Sequence, residues 1–323
     1  MADVVVVGAG VVGLTSAVRL AEAGARVAVL TADEPARTVS RVAAAVWYPT
    51  RTSPDPRVLD WARRTFDELA AQAGNGVPGV VMRPTRMLLR APVDGAPWWS
   101  AAVPDFRTAE PPPGYAGQWR FTVPTVEMGP YLDWLVARLD QLGVEVRRHR
   151  VDTLTEAADV APVVVNATGL AAGTLADDPA VHPVRGRIVL VANPGLVTSV
   201  RDEGNPAGIT YIHPRSRDVV LGGTFEPGEA ETEPDEAVGR AILARCVALV
   251  PELAGAAVLG QLAGLRPARH GGARVTVDAA ATGGGFRLVH NYGHGGAGVT
   301  LAWGCADEVA ALADPAARVS LRA

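Results

Sequence analysis

The sequence contains no lysine: all 30 of its basic residues are arginine. This absence excludes enzymes that form a Schiff base through a lysine side chain. It also excludes nucleotide-binding proteins whose phosphate-binding loop or kinase site requires a lysine. Ala, Arg, Gly, Pro and Val are all abundant, which is typical of a GC-rich coding sequence. Taken alone, the missing lysine therefore indicates mutational bias and not a function.

Cysteine is almost as scarce, with Cys246 and Cys305 as the only two. Two cysteines cannot form a thiolate zinc cluster or a disulfide framework, so the sequence predicts an intracellular protein without a metal site. Each cysteine falls on the apolar face of a predicted helix. We therefore expect both to be buried small hydrophobic residues and not reactive thiols.

Long apolar runs and basic blocks are missing as well. No stretch approaches the ~18 apolar residues that span a bilayer, and no positive segment precedes the first apolar stretch as it would in a signal peptide. The net charge is −4, and the densest basic stretch, 147–150, is interpreted as a solvated strand end. We expect neither a membrane nor a nucleic acid as a partner.

The 323 residues are 48% hydrophobic and 20% charged, which excludes a disordered chain and fits two domains. Hydrophobic periodicity predicts helices at about 56–74, 130–142, 234–249 and 298–312, the third capped by Thr232 with Asp235. Short strands are predicted at 80–82, 87–90, 163–169, 187–191, 209–213, 219–222, 275–277 and 286–290. Because strand-rich and βαβ-type segments alternate, we predict two interleaved domains, one on a parallel sheet and one on a mixed or antiparallel sheet.

The N-terminal segment carries a dinucleotide-binding pattern. A β-branched run at 4–7 is followed by G-x-G-x-x-G at Gly8, Gly10 and Gly13, then by a helix and a second strand at 26–30. The three glycines allow a tight turn, a close approach of pyrophosphate, and close packing of helix on strand. The phosphates would lie at the helix N-terminus. An acid about 20 residues on should bind the ribose, and Asp33 and Glu34 both fit; the motif alone does not choose between NAD and FAD.

Three further stretches carry candidate site residues. The strand at 163–169 runs into small residues, as a second cofactor-binding turn would. On the strand at 209–213, Tyr211 and His213 are two residues apart and so point to the same face. Arg266 lies between apolar segments and needs an anionic partner. The glycine-rich stretch 290–300 leads directly into the last helix, whose N-terminus would face an electron-rich group.

These stretches together resemble the D-amino acid oxidases of the FAD-dependent amine oxidoreductase family. The matching segments are V-V-V-V-G-A-G-V-V-G-L-T, A-A-A-V-W-Y-P, V-V-N-A-T-G-L, P-V-R-G-R, Y-I-H-P-R with L-G-G-T, G-L-R-P-A-R, and H-N-Y-G-H-G-G-A-G-V-T with W-G-C-A. They follow the family's order from residue 4 to about 308. The resemblance implies FAD as the cofactor, bound by a Rossmann-like domain at 1–50, 128–182 and 268–323. A mixed or antiparallel substrate-binding domain would comprise 51–127 and 183–267.

The resemblance also implies roles for individual residues. Arg266 would pair with the substrate α-carboxylate, Tyr211 would support the same carboxylate, and the Gly296 carbonyl would accept a hydrogen bond from the amine. The substrate pocket would include Val46, Tyr48 and His213. The expected cofactor-binding residues are Gly8, Ala9, Gly10, Val11, Val12, Gly13, Asp33, Ser40, Arg41, Ala44, Ala45, Val46, Val151, Thr168, Gly169, Arg266, His294, Gly295, Gly296, Gly298, Val299 and Thr300.

The implied reaction is oxidative deamination of neutral, mainly apolar D-amino acids by hydride transfer from the α-carbon to flavin N5. Oxygen would reoxidise the flavin, giving hydrogen peroxide, ammonia and a 2-oxo acid. Two alternatives stay open: a D-aspartate or glycine/sarcosine-type oxidase, which for an acidic side chain needs a further cation in the pocket, and a non-catalytic flavin- or nucleotide-binding scaffold.

The sequence departs from the pattern of this family at three places, one of which is His213, where an apolar residue is common. The stretch 205–208 lacks the aromatic residue found in the lid of the eukaryotic members and predicts a more open entrance. The C-terminal residues 320–323 lack a peroxisomal tripeptide, which favours a bacterial cytoplasm. The oligomeric state is left open, with a homodimer as one option.

Overall fold

A computed structural model describes residues 2–49, 51–52, 54–279 and 285–314. Residues 320–323, on which the expectation about targeting rests, lie outside the described residues. The strands are β1 Val4–Val7, β2 Val27–Thr31, β3 Val80–Leu89, β4 Arg107–Ala109, β5 Gly117–Val126, β6 Glu145–Arg148, β7 Val163–Asn166, β8 Val181–Ala192, β9 Ser199–Asp202, β10 Thr210–Pro214, β11 Asp218–Gly222, β12 Glu226–Pro227, β13 Val258–Arg269, β14 Arg274–Asp278 and β15 Arg287–Tyr292. The helices are α1 Val11–Glu22, α2 Pro56–Gly74, α3 Met128–Gln141, α4 Leu154–Ala158, α5 Ala172–Leu175, α6 Glu236–Leu249 and α7 Gly298–Ala313.

The first sheet of the described residues has the order β14-β15-β7-β1-β2-β6 and is parallel except for β14. Its central strand β1 pairs with β2 and β7, so Val4 lies between Val27 and Val163. Alternate residues of β1 face opposite sides: one set packs against α1, and the other packs against α4. Burial on both faces explains the uninterrupted valine run of β1.

The second sheet has the order β12-β8-β11-β10-β9-β3-β5-β4, with β13 paired to β8 along the other edge of that strand. Its strand pairs are antiparallel except for β3 with β9, so the sheet is mixed. The predicted α/β fold with one parallel and one mixed sheet is confirmed. The long strand β13 also contacts the short 3-10 segments 39–42, 169–171 and 295–297 beside the first sheet. It therefore forms the junction at which the two sheets meet.

Several element boundaries differ from the sequence prediction. The separate strands expected at 80–82 and 87–90 are one strand, β3, which pairs with β5 along its whole length. Pro84 interrupts the hydrophobic pattern but is tolerated, because β9 pairs only with residues 85–87 of β3. The helix α6 is capped by Asp235 alone, whose carboxylate accepts hydrogen bonds from two helix N–H groups, and Thr232 takes no part in this cap.

Both cysteines are fully buried and free, which confirms the expectation for them. Cys246 belongs to the core between α6 and the second sheet, where Ile212 and Leu221 also lie. Cys305 belongs to the larger core around α7 and α1. Burial raises the pKa of the Cys246 thiol to about 12, so this side chain is not a thiolate at neutral pH.

Candidate active site

A cavity of about 710 Å³ lies between the two sheets. One end is formed by the turn after β1 and the N-terminus of α1. The other end is formed by β9, β10 and β13 of the second sheet. The cavity opens at the carboxyl end of the parallel strands β1 and β7, which is where open α/β sheets bind their ligands. Its volume and its two-sided wall suit an extended cofactor with a small substrate beyond it.

The glycines after β1 are required by close backbone packing. Gly8 has φ of 113°, and a Cβ there would lie 2.4 Å from the Ala167 carbonyl oxygen. A Cβ on Gly13 would lie 1.9 Å from the Gly8 carbonyl oxygen. A side chain at either position would therefore push apart β1, β7 and α1. The consequence is a smooth backbone surface at the N-terminus of α1.

The N-terminus of α1 faces the cavity with few partners of its own. Its N-cap, Gly10, has no side chain, and Val11 N–H donates to Ser40 Oγ at 3.0 Å. Backbone N–H groups at the positive end of a helix form a site for phosphate. Asp33 lies on the cavity wall, whereas Glu34 does not.

The N-terminus of α7 lies on the same cavity. Its N-cap, Ala297, offers no side-chain cap, and Thr300 Oγ1 ties the helix to the loop before α2 by donating to the Tyr48 carbonyl at 3.0 Å. His294 is buried beside this helix, and its Nε2 has no hydrogen-bond partner among the described residues. Burial lowers the pKa of His294 to about 4, so the imidazole is neutral near pH 7.

Arg266 lies on β13 at the far end of the cavity. Its guanidinium occupies space left by Gly186 on β8, where a Cβ would approach Nη2 to 2.1 Å. Nη1 donates to the carbonyl oxygens of Arg185 at 3.2 Å and Thr224 at 3.3 Å. These contacts use one nitrogen, and no ion pair joins Arg266 to a carboxylate of the described residues. A fixed guanidinium without its own counter-ion is suited to bind a carboxylate.

Tyr211 on β10 stands beside this guanidinium. Its ring lies where Cβ atoms on Gly222 and Gly223 would clash, since a Cβ on Gly222 would be 1.9 Å from the ring. Burial raises the pKa of the Tyr211 hydroxyl, against the opposing effect of Arg266, so the phenol stays a neutral donor. His213 stacks on Tyr211 with ring centroids 4.9 Å apart, on the same face as predicted from the two-residue spacing.

Arg201 and Glu203, which were not expected from the sequence, also lie on the cavity wall. Arg201 on β9 lies in the cavity wall with its guanidinium 4.1 Å from the ring centroid of Tyr48. Its Nη2 forms an ion pair with Glu203 at 2.5 Å. Its Nη1 donates to Nε2 of His213 at 3.3 Å. Burial, together with the charge of Arg201, lowers the pKa of His213 well below 6.5, so this histidine is neutral.

Almost all of the residues expected at the site lie on the cavity wall. The expected residues found there are Gly8, Ala9, Gly10, Val11, Val12, Asp33, Ser40, Ala44, Ala45, Val46, Tyr48, Val151, Thr168, Gly169, Tyr211, His213, Arg266, His294, Gly295, Gly296, Gly298, Val299 and Thr300. Two are not. Gly13 lies behind the wall, where it packs on Gly8. The Arg41 guanidinium lies within 2.6 Å of the Cβ position of Gly129, at the start of α3.

Comparison with known proteins identifies the family. The family model described as FAD dependent oxidoreductase matches residues 3–312. The chain belongs to this family. FAD is therefore its cofactor, and the predicted choice of FAD over NAD is confirmed. The cavity fits FAD, because it combines the glycine surface after β1, two helix N-termini without side-chain caps, and the unpartnered Nε2 of His294.

Three curated relatives resemble this FAD-dependent oxidoreductase over nearly its whole length. A D-amino-acid oxidase from Rubrobacter xylanophilus is 51% identical, covering 98% of this chain and 97% of the relative. A D-amino-acid oxidase from Streptomyces coelicolor is 47% identical, covering 96% of each chain. The D-aspartate oxidase of Homo sapiens is 35% identical, covering 96% of this chain and 94% of the relative.

Solved structures confirm the fold. Glycine oxidase from Geobacillus kaustophilus superposes with a TM-score of 0.82 at 21% identity, covering 97% of this chain and 94% of that chain. At such low identity the likeness concerns the fold alone. Among the described residues, no cluster of His, Cys, Asp and Glu could hold a metal ion. None of the described helices is both long and apolar enough to cross a bilayer.

Proposed function

We propose that this FAD-dependent oxidoreductase converts neutral, mainly apolar D-amino acids, oxygen and water to 2-oxo acids, ammonia and hydrogen peroxide. The observation that carries the proposal is the unpaired Arg266 guanidinium next to Tyr211 at the end of the FAD cavity. The two bacterial relatives named D-amino-acid oxidase support the same activity.

In this proposal, Arg266 binds the substrate α-carboxylate, and Tyr211 donates its phenolic hydrogen to the same group. The backbone carbonyl of Gly296 accepts a hydrogen bond from the substrate amine. FAD bound in the cavity supplies the acceptor for the hydride that leaves the α-carbon. Fixing both the carboxylate and the amine leaves only one orientation of the α-hydrogen, and the opposite enantiomer would present its side chain there instead.

The remaining cavity residues divide by position. We propose that the glycines after β1, Ser40, Asp33 and Val151 hold the nucleotide half of FAD. The residues around Thr168 and those from His294 to Thr300 would hold the flavin half. The positive end of α7 would stabilise negative charge on the reduced cofactor. Val46, Tyr48 and His213 would line the substrate pocket.

We further propose that the two sheets correspond to the two domains with the ranges expected from the sequence. β13 pairs with β8 as far as Arg269, two residues past the expected domain boundary at 267.

Two buried free cysteines support a cytoplasmic location. The small-molecule substrate and oxygen are the partners proposed.

A D-aspartate oxidase activity is the second candidate. The further cation that an acidic substrate requires is present in the cavity as Arg201. Arg201, however, already pairs with Glu203, so the positive charge of Arg201 is compensated within the protein. This neutralisation favours neutral substrates as the main class.

The proposed activity is tested by replacing Arg266 with methionine. The purified FAD-loaded wild type should consume oxygen and form peroxide, ammonia and a 2-oxo acid with D-valine and not with L-valine. Loss of the charge-assisted pair should lower kcat/KM of the variant by a factor of about 30 or more, corresponding to ~2–5 kcal/mol. Replacing the exposed Arg120 on β5 is the control and should change nothing. Wild-type kcat/KM in the Arg266 variant would contradict the assignment, and no turnover with any D-amino acid would favour a non-catalytic scaffold.

A further inference from the structure

A polar strip lies beside the cavity next to Tyr211, and two of its residues, Arg201 and His213, line the cavity wall. Arg201 and Ser199 share one face of β9, and β9 pairs with β3 so that Thr85 lies opposite Ser199. On the neighbouring strand β10, Tyr211 lies opposite Arg201 in the register. The strip is therefore made of Thr85, Ser199, Arg201 and His213, at the end of the cavity away from α1.

The strip contains polar atoms that the protein leaves without partners. Thr85, Ser199 and His213 are each at most 2% exposed. Thr85 Oγ1, Ser199 Oγ, His213 Nδ1 and Arg201 Nε have no hydrogen-bond partner among the described residues. Buried polar atoms are almost always satisfied by protein, water or ligand. Such a set beside a substrate cavity therefore indicates a place for water or for a polar substrate group.

The positive charge of Arg201 in this strip is compensated by the carboxylate of Glu203. Arg201 is the cation, and its side chain is 8% exposed, whereas the side chain of Glu203 is 34% exposed. Glu203 is the first residue of the seven-residue connection between β9 and β10, and it lies on the cavity wall. His213 contributes no charge near neutral pH, because burial keeps it unprotonated. The buried member of the pair, Arg201, thus lies within β9, and the partly exposed member, Glu203, is the first residue after that strand.

We infer that Glu203 occupies the site at which Arg201 would otherwise bind a carboxylate of the substrate side chain, so the Arg201–Glu203 pair sets the choice between neutral and acidic D-amino acids. A neutral substrate side chain would pack beside the intact Arg201–Glu203 ion pair, near Tyr48. An acidic side chain competes with Glu203 for the guanidinium and is rejected unless it displaces that carboxylate. This inference rests on the proposed function, because it assigns the side-chain end of the same substrate site.

The experiment uses substrates that differ only in charge. D-glutamate and D-glutamine have the same shape, and kcat/KM for each is measured with the FAD-loaded wild type and with Glu203→Gln. The variant should raise the ratio of D-glutamate to D-glutamine by about tenfold or more, the factor for one charge-assisted hydrogen bond. Adding Arg201→Met to Glu203→Gln should abolish the gain. Glu22→Gln removes a carboxylate from the ion pairs of α1 and should leave the ratio unchanged.

A binding measurement separates this inference from the proposed function. Calorimetry of the holoenzyme with butyrate and glutarate compares one carboxylate with two and needs no turnover. Glutarate should gain affinity in Glu203→Gln relative to butyrate. An unchanged glutarate-to-butyrate affinity ratio, or an unchanged D-glutamate-to-D-glutamine ratio in an active variant, would overturn the inference while the proposed function stands. Absence of any D-amino acid turnover would instead overturn the proposed function, and the calorimetric ratio would still decide the role of Glu203.

Discussion

The position of the Arg266 guanidinium depends on a glycine in the neighbouring strand. A Cβ on Gly186 would overlap the end of this side chain, which is flexible and can move aside. The strand pairing of Gly186 would remain, since its backbone is in the ordinary extended region. The position of the Arg266 guanidinium therefore requires a glycine at position 186, whereas the strand pairing of the sheet does not.

This dependence predicts a functional defect without a stability defect. Gly186→Ala should displace the guanidinium of Arg266 and raise KM for D-valine by about tenfold, the equivalent of one hydrogen bond to a charged group. The melting temperature should stay close to that of the wild type. Gly260→Ala, on β13 with nothing near its Cβ position, is the matched control and should leave KM unchanged. An unchanged KM in Gly186→Ala would show that Arg266 is not the carboxylate site.

The buried histidines predict how stability depends on pH. Burial lowers the pKa of His294 to about 4, below the ordinary value near 6.5. Between these values the unfolded chain binds a proton that the folded chain does not, so stability is complete above pH 6.5 and falls as the pH drops toward 4. His213 acts in the same direction.

The size of this effect follows from linkage. Each such histidine contributes a slope of up to about 1.4 kcal/mol per pH unit to the free energy of unfolding. Urea unfolding of the FAD-saturated protein at several pH values between 4 and 8 measures it. His294→Gln should reduce the slope below pH 6.5 and leave it unchanged above. A slope identical in variant and wild type would contradict the buried, neutral state of His294.

At the residue level, sequence patterns predicted some of the candidate site and not the rest. Arg266 stood out because a charged residue within an apolar stretch requires a partner. The role of Tyr211 came only from the resemblance to the D-amino acid oxidases, since its spacing indicated no more than a shared face with His213. Arg201 and Glu203 were missed because β9 is a short buried strand with two charged residues, which leaves no hydrophobic alternation. Only the pairing of β9 with β3 and β10 brings Arg201 to the cavity.

At the scale of elements, the bounds of a helix were predicted correctly where capping residues mark its start. α2 spans Pro56–Gly74 as expected, because Asp55 caps its first turn and Pro56 suits the first helical position. The strands were predicted less well. β3 was predicted as two short pieces in a Pro-rich stretch, since the pattern does not reveal that only one side of the strand is paired at Pro84.

The packing of α1 on β1 predicts a strong effect of one methyl group. Gly13→Ala would place a Cβ 1.9 Å from the Gly8 carbonyl oxygen, and this backbone atom cannot move aside. We expect a loss of roughly 1–3 kcal/mol or more in the free energy of unfolding, with reduced FAD content. Thermal unfolding and the flavin absorbance of the purified protein measure both.

The control for this substitution is another helical glycine. Gly74, in the last turn of α2, has open space around its Cβ position. Gly74→Ala should be neutral or stabilise the protein by roughly 0.5–1 kcal/mol, because alanine restricts the unfolded chain. Equal stability of the Gly13 and Gly74 variants would show that α1 does not pack on β1 as described.

At the scale of the whole molecule, the cofactor cavity lies between two sheets that have no strand in common among the described residues. Its wall includes β1 and α7 on one side and β10 and β13 on the other, so FAD would contact both. A ligand that binds only the folded state stabilises it by mass action. We expect the holoprotein to unfold in one transition, with a gain of about 2.7 kcal/mol at a free FAD concentration of 100 times Kd.

Titration of the apoprotein with FAD during thermal unfolding tests this coupling. The midpoint should rise steadily with FAD concentration, and both sheets should unfold together. Two transitions, of which only one responds to FAD, would show that the cofactor contacts one sheet only.

The strand order of the second sheet could not be predicted from sequence patterns. In this sheet β3 lies next to β9, and these strands are more than 100 residues apart in the chain.

In the proposed function, Arg266 and Tyr211 orient one enantiomer of an amino acid so that FAD bound in the cavity can oxidise it. Anaerobic mixing of the FAD-loaded protein with D-valine and, separately, with L-valine tests this directly, because reduction of the flavin is seen as loss of its visible absorbance. We expect rapid bleaching with the D-enantiomer and none with the L-enantiomer. Equal bleaching with both enantiomers, or no bleaching with any D-amino acid, would contradict the proposed function.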